Sequence, residues 1–87
     1  MTVSIIAPDR NVYSGEAVAI TVPSVNGSFT ALENHAPIVS LLEKGVIYVQ
    51  EKDGSEKLSF NIKGGFVEIS DNTATACVEI DEQIQEN

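Results

Sequence analysis

The sequence is short of reactive and basic side chains: it holds one histidine, one cysteine and no tryptophan, and five basic residues stand against thirteen acidic ones. Each shortage excludes a class of function. A net charge of −8 has the wrong sign for neutralising a phosphate backbone or an anionic lipid surface, so nucleic acid is not an expected partner. The lone Cys77 cannot close an internal disulfide; it sits in an alternating run where a small apolar side chain packs, which fits a reducing compartment. No segment reaches the roughly 18 consecutive apolar residues of a spanning helix, and no basic stretch followed by an apolar run opens the chain. Neither secretion nor membrane insertion is expected from this sequence.

What is present is the composition of a folded domain. Hydrophobic residues make up 43% of the 87 positions and charged residues 21%, which is enough for one core and too little chain for two. Apolar and polar residues alternate in short runs separated by turn residues, the signature of antiparallel strands. Residues 3–7 form the first run, closed by Pro8 and Asp9, and residues 17–23 follow a turn expected at Ser14 and Gly15. In that second run Val18, Ile20 and Val22 share one face. Asn26 and Gly27 predict a two-residue type I′ hairpin, since both tolerate positive φ.

Residues 38–42 form a further run, a turn follows at Lys44 and Gly45, and residues 46–51 carry apolar side chains on both faces, as a central strand does. Asp53 and Gly54 predict the next hairpin, and Leu58, Phe60 and Ile62 share a face before Gly64 and Gly65 break the run. Residues 66–70 and 73–80 are joined across Asp71 and Asn72. The expected fold is all-β, a β-sandwich or flattened barrel of about eight to ten short antiparallel strands. The domain is expected to span residues 1–80, with an acidic tail over residues 81–87 in which Asp81 could cap a short helix but no apolar face follows, so that the tail frays.

No catalytic constellation emerges from the residue types. A nucleophile needs a base within hydrogen-bond reach, and only His35 could serve Cys77 or a hydroxyl in that way. A metal site needs three or four ligands; Glu33 and His35, two apart, share a side if the segment is extended, yet a solvated turn is the better reading of that loop. Glu68, flanked by Phe66, Val67 and Ile69, reads as a surface or edge carboxylate, and Gly64 with Gly65 reads as a bulge or close backbone approach because no helix or basic residue completes an anion site. A domain of this kind works by presenting surfaces.

Three segments in order, SIIAPDRNVYSG, VAITVPSVNGSFTALENHAPIVSLLEKGVI and FNIKGGFVEISDNTATACVE, resemble the N-terminal β-sandwich domain of the epsilon subunit of F-type ATP synthases from Val3 to about Ile80. The residues that carry the resemblance are the stretch 27–32, the turn at His35, Ala36 and Pro37, Leu42 followed by Gly45, and Gly64 and Gly65 with Glu68. The resemblance implies a non-catalytic rotor subunit of the central stalk, without cofactor or metal, that links the gamma subunit to the c ring in a hetero-oligomeric complex. Carried over by position, Ala7, His35 and Ser40 would face gamma. Asn26, Gly27, Ser28 and Phe29, with Glu33 nearby, would meet the loops of the c ring, where Glu33 could supply a favourable charge contact.

Longer members of that family continue into a helical hairpin that inhibits ATP hydrolysis, and the expectation here is neither hairpin-mediated inhibition nor ATP binding. The implied location is the cytoplasmic face of a bacterial plasma membrane, as a peripheral protein, with the stromal face of a thylakoid as the alternative. A free-standing β-sandwich binding or adaptor module would suit the same strand pattern; co-purification with gamma separates the two.

Overall fold

The computed structural model describes residues 1–52, 54 and 57–81. The strands among them are β1 (Thr2–Ala7), β2 (Arg10–Val22), β3 (Phe29–Leu32), β4 (Ile38–Leu42), β5 (Gly45–Glu51), β6 (Lys57–Ser70) and β7 (Thr73–Ile80). Their lateral order is β1-β7-β6-β5-β2-β3, and β1 also pairs with β2, so five strands close into a ring while β3 and β4 hang from it. The described strands number seven, fewer than the eight to ten expected, because two of them run straight through glycines taken as breaks.

β2 passes through Ser14 and Gly15, which pair with Ser4 and Val3 of β1 instead of turning. A side chain on Gly15 would collide with the Tyr13 ring, so the glycine makes room for an aromatic group that packs on Phe60 at 5.5 Å and donates a 2.7 Å hydrogen bond from its hydroxyl to Glu51. β6 likewise passes through Gly64 and Gly65, where the register against β7 shifts. At Gly65, with φ of 147°, an added Cβ would collide with the Cys77 carbonyl oxygen; no other residue fits this backbone contact.

The two long strands change partners midway. The first part of β2 pairs with β1, and its last residues lie between β3 and β5. The first part of β6 pairs with β5, and its second part lies between β4 and β7. Two layers therefore share their corners through β2 and β6, as in sandwiches whose strands switch sheets at bulges. The bulge in β2 falls between Ala17 and Ala19 and changes which side chains face inward: Ala17, Ile20 and Val22 are buried, and Val18, expected beside Ile20, is not.

The core is aliphatic. Val3, Ile5, Ile20, Val22, Ile47, Val49, Ile62, Val67 and Ile69 are its largest fully buried side chains, each stabilising the fold by roughly 1.5–3 kcal/mol relative to exposure. β5 is paired on both edges, as its sequence suggested, although it buries only Ile47 and Val49 and leaves Tyr48 partly exposed. One pairing departs from the antiparallel expectation: β1 runs parallel to β7. That contact joins the two ends of the domain and cannot be read from local turn chemistry.

Of the three connections expected at Asn26 and Gly27, Asp53 and Gly54, and Asp71 and Asn72, the first and the last lie wholly within the described residues, and one of these two forms as a tight turn. Asp71 (φ 52°) and Asn72 (φ 57°) connect β6 to β7 in the left-handed conformation of a type I′ turn, and Asn72 also accepts from the Thr2 and Asn34 amides. Asn26 and Gly27 do not form such a turn. Six residues separate β2 from β3, and of the two only Gly27 has positive φ. The loop is drawn toward β4: Ser24 bridges Leu42, the Val25 N–H donates to the Leu41 carbonyl at 3.0 Å, and Glu43 donates to the Pro23 carbonyl at 2.9 Å.

The predicted hairpin at Asp53 lies partly outside the described residues, as do residues 82–87 of the acidic tail; Gly54 has a φ of 73°. Asp81, the first residue of that tail, is buried. Its N–H donates to the Asn61 carbonyl at 2.9 Å, and its carboxylate stands 3.6 Å from the Lys44 ammonium.

Candidate functional site

Between β3 and β4, the two strands that hang from the ring, lies an open groove of ≈ 690 Å³. One wall is the loop from Ser24 to Ser28 with Phe29 and Thr30, and the other is His35 and the β4 residues Ile38, Val39, Ser40 and Leu41. The groove has polar and apolar parts. Ser24 and Ser40 share a 2.6 Å hydroxyl contact on its floor, the Asn26 N–H donates to the Ser24 hydroxyl at 3.2 Å, and the Ser28 hydroxyl donates to the Val22 carbonyl at 3.1 Å. Val25, Ile38, Val39 and Leu41 are exposed large apolar side chains along its margin.

His35 belongs to this wall as a loop residue that follows a turn at Glu33 and Asn34. Asn34 before it has positive φ, its ring stacks on Phe29 with centroids 6.2 Å apart, and its Nδ1 lies 2.6 Å from the Ala36 carbonyl oxygen. Glu33 does not accompany it. The Glu33 carboxylate instead accepts from the α-ammonium of Met1 at 3.2 Å, which also donates to the Ala17 carbonyl at 2.8 Å. Cys77 lines a different depression from His35, and among the described residues no three His, Cys, Asp or Glu side chains converge. Glu68 is exposed on β6.

The structure thus gathers Asn26, Gly27, Ser28 and Phe29 with His35 and Ser40 into one groove, although the sequence reading divides them between two partners. Ala7 lies apart from it. It is buried at the end of β1 and lines an apolar depression of ≈ 420 Å³ with Ile6, Pro8, Gly65, Phe66, Cys77, Val78 and Glu79. A lateral row connects the two places, since Leu41 is in register with Phe66, Phe66 with Cys77, and Cys77 with Ile6 across β4, β6, β7 and β1. Leu41 is 64% exposed and Phe66 43%, so the row is an apolar stripe on the outside of the layer.

Sequence reasoning missed this stripe. Its one legible sign is the stretch IVSLL, which is apolar at both phases of a strand and therefore cannot bury both faces in a two-layer fold.

Residues 1–83 match the family described as the ATP synthase delta/epsilon chain β-sandwich domain. The ATP synthase epsilon chain of Protochlamydia amoebophila is 36% identical over 83 residues, covering 95% of this chain and 56% of the relative. That of Leptospira borgpetersenii is 37% identical over 75 residues, covering 86% and 58%, and that of Caulobacter vibrioides is 37% identical over 76 residues, covering 87% and 86%. The chain therefore spans a little over half the length of the first two relatives and most of the third.

Among solved structures, a chain of the Euglena gracilis mitochondrial ATP synthase superposes with a TM-score of 0.78 at 23% identity, covering 93% of this chain and 56% of that one. A chain of the Tetrahymena thermophila mitochondrial ATP synthase central stalk and c ring gives 0.76 at 20%, covering 97% and 68%. These two likenesses establish the fold, and the sequence match over nearly the whole chain establishes the kinship: this chain belongs to the family of ATP synthase delta/epsilon chain β-sandwich domains.

Proposed function

We propose that the chain is a non-catalytic subunit of the central stalk of an F-type ATP synthase, coupling a gamma subunit to the c ring during ion-driven ATP synthesis. It would act as a peripheral component of the membrane-bound complex, on the cytoplasmic face of a bacterial plasma membrane or, alternatively, the stromal face of a thylakoid. The observation that carries the reading is the placement of exposed apolar side chains. Val25, Ile38, Val39, Leu41 and Phe66 are five of the seven large apolar residues exposed among the described residues, and all lie on β4 or beside it.

The gamma contact is assigned to His35 and Ser40 at the groove and to Ala7 at the far end of the apolar stripe. The c-ring contact is assigned to the loop residues Asn26, Gly27 and Ser28, with Phe29, where the domain presents an exposed backbone tip. Glu33 joins that surface with its carboxylate already engaged by the Met1 ammonium, so its charge contact with a basic loop would be shared. A stiff domain suits a rotor part, and the closed ring of five strands around an aliphatic core supplies stiffness.

The test is reconstitution with gamma and c ring from the same complex, followed by affinity measurement. Ser40→Arg, which places a long charged side chain on the groove floor, and His35→Glu are expected to weaken gamma binding at least tenfold, on the order of 1.4 kcal/mol or more. Binding unaffected by both changes would remove the assigned gamma surface.

A further inference from the structure

β4 is hydrogen-bonded to β6 along one edge; along the other, the pairings of the described residues reach only its last residues, where Ser24 bridges Leu42. The Leu41 carbonyl accepts from Val25 and so faces away from β6. Strand alternation turns the Val39 N–H and C=O and the Leu41 N–H toward the same open side. Natural sheets guard such edges with charge, proline or a bulge. β4 has Pro37 before it and the Ser24 bridge behind it, and the residues between carry no charge.

The side chains around this edge are disposed to receive a strand. Val39 and Leu41, 69% and 64% exposed, stand on the outer face, and Ile38 and Ser40 line the groove on the same wall as His35, opposite Phe29. A segment laid along the edge would set alternate side chains beside Val39 and Leu41 and the others into the groove. The charges that border it are acidic: Glu68, exposed and in register with Val39, and Glu43, exposed just past Leu42. Lys44 beyond them is held near Asp81, and Lys63 lies past the Gly64 bend. With a net charge of −8 on each chain, a second copy is repelled and a basic segment is attracted.

We propose that the gamma-type stalk partner binds by strand addition, contributing an extended segment with alternating apolar side chains and flanking Lys or Arg that pairs with the Val39 N–H and C=O and the Leu41 N–H. The inference rests on the stalk reading above. Main-chain hydrogen bonds supply the affinity and the groove selects the inward side chains.

The experiment is residue-resolved amide hydrogen exchange on the full chain, free and bound to gamma. The Val39 and Leu41 amides are expected to exchange rapidly in the free chain and to slow by roughly 100-fold or more in the complex. Val39→Pro removes the outward N–H and leaves the β6 ladder intact, since proline is accepted where a strand's N–H side is open. It is expected to weaken gamma binding about tenfold, whereas Val39→Thr, which keeps the donor, stays within about threefold. Should Val39→Pro fail to fold, the exchange pattern of the unsubstituted complex decides alone.

A complex in which both amides remain fast overturns strand addition and leaves the stalk reading standing. Failure of the chain to bind gamma at all overturns both. A dimer of the chain alone, with these two amides protected, assigns the edge to a second copy and overturns the proposed occupant.

Discussion

β4 and β7 flank the same stretch of β6 and differ in almost every other respect. β7 is paired on both edges, antiparallel to β6 and parallel to β1, and buries Ala74, Ala76 and Val78. Its small inward side chains let the layers approach, and at Gly65 the β6 backbone comes close enough that a methyl group would collide with Cys77. β4 is paired along its length only with β6, its other edge being met at Leu41 and Leu42 alone by Val25 and Ser24, and it buries only Leu42, while Ile38, Val39 and Leu41 remain exposed. Both strands are rich in apolar residues, but hydrophobicity in β7 is used up by the fold, and in β4 most of it is left exposed.

The contrast can be broken by comparing substitutions on the two sides. The largest effect is expected for Ile69→Ala, which empties a fully buried position on β6 between the two strands and should lower stability by about 2–5 kcal/mol in urea denaturation. Gly65→Ala follows at roughly 2–3 kcal/mol, because both the backbone contact and the positive φ oppose a side chain. Gly27→Ala is its control: nothing lies within 4 Å of the added methyl, so only the conformational term of about 1–2 kcal/mol remains.

Tyr13→Phe, which deletes the hydroxyl that meets Glu51, should cost about 1 kcal/mol while the ring keeps its place on Phe60. Leu41→Ala is expected to change stability by less than about 0.5 kcal/mol and yet to reduce gamma affinity, the reverse of Ile69→Ala. Equal losses of stability for Leu41→Ala and Ile69→Ala would erase the distinction between the two strands.

How far the sequence discloses these differences depends on the range of the interaction responsible. The turn at Asp71 and Asn72 is legible because two adjacent residues satisfy their own backbone requirement. The pair Asn26 and Gly27 carries an equally strong local signal and is overridden, since the Val25 amide and Ser24 find partners on β4, which is distant in sequence. Ser14 with Gly15 and Gly64 with Gly65 look like breaks because glycine favours turns. In the fold they accommodate the Tyr13 ring and a close β6 to β7 approach, contacts that no local window contains. Among the candidate site residues, the loop position of His35 was legible; the meeting of His35 and Ser40 with residues 26–29 in one groove, and the diversion of Glu33 to Met1, were not.

The sequence by itself determined an acidic all-β domain with an aliphatic core, because composition and two-residue alternation act locally on every strand. Tertiary structure alone decided the parallel pairing of β1 with β7, the exchange of partners along β2 and β6, and the free edge of β4. Those depend on which distant segments compete for the same backbone hydrogen bonds. β4 is left with most of one edge open because the ring closes through β1 and β2 without it.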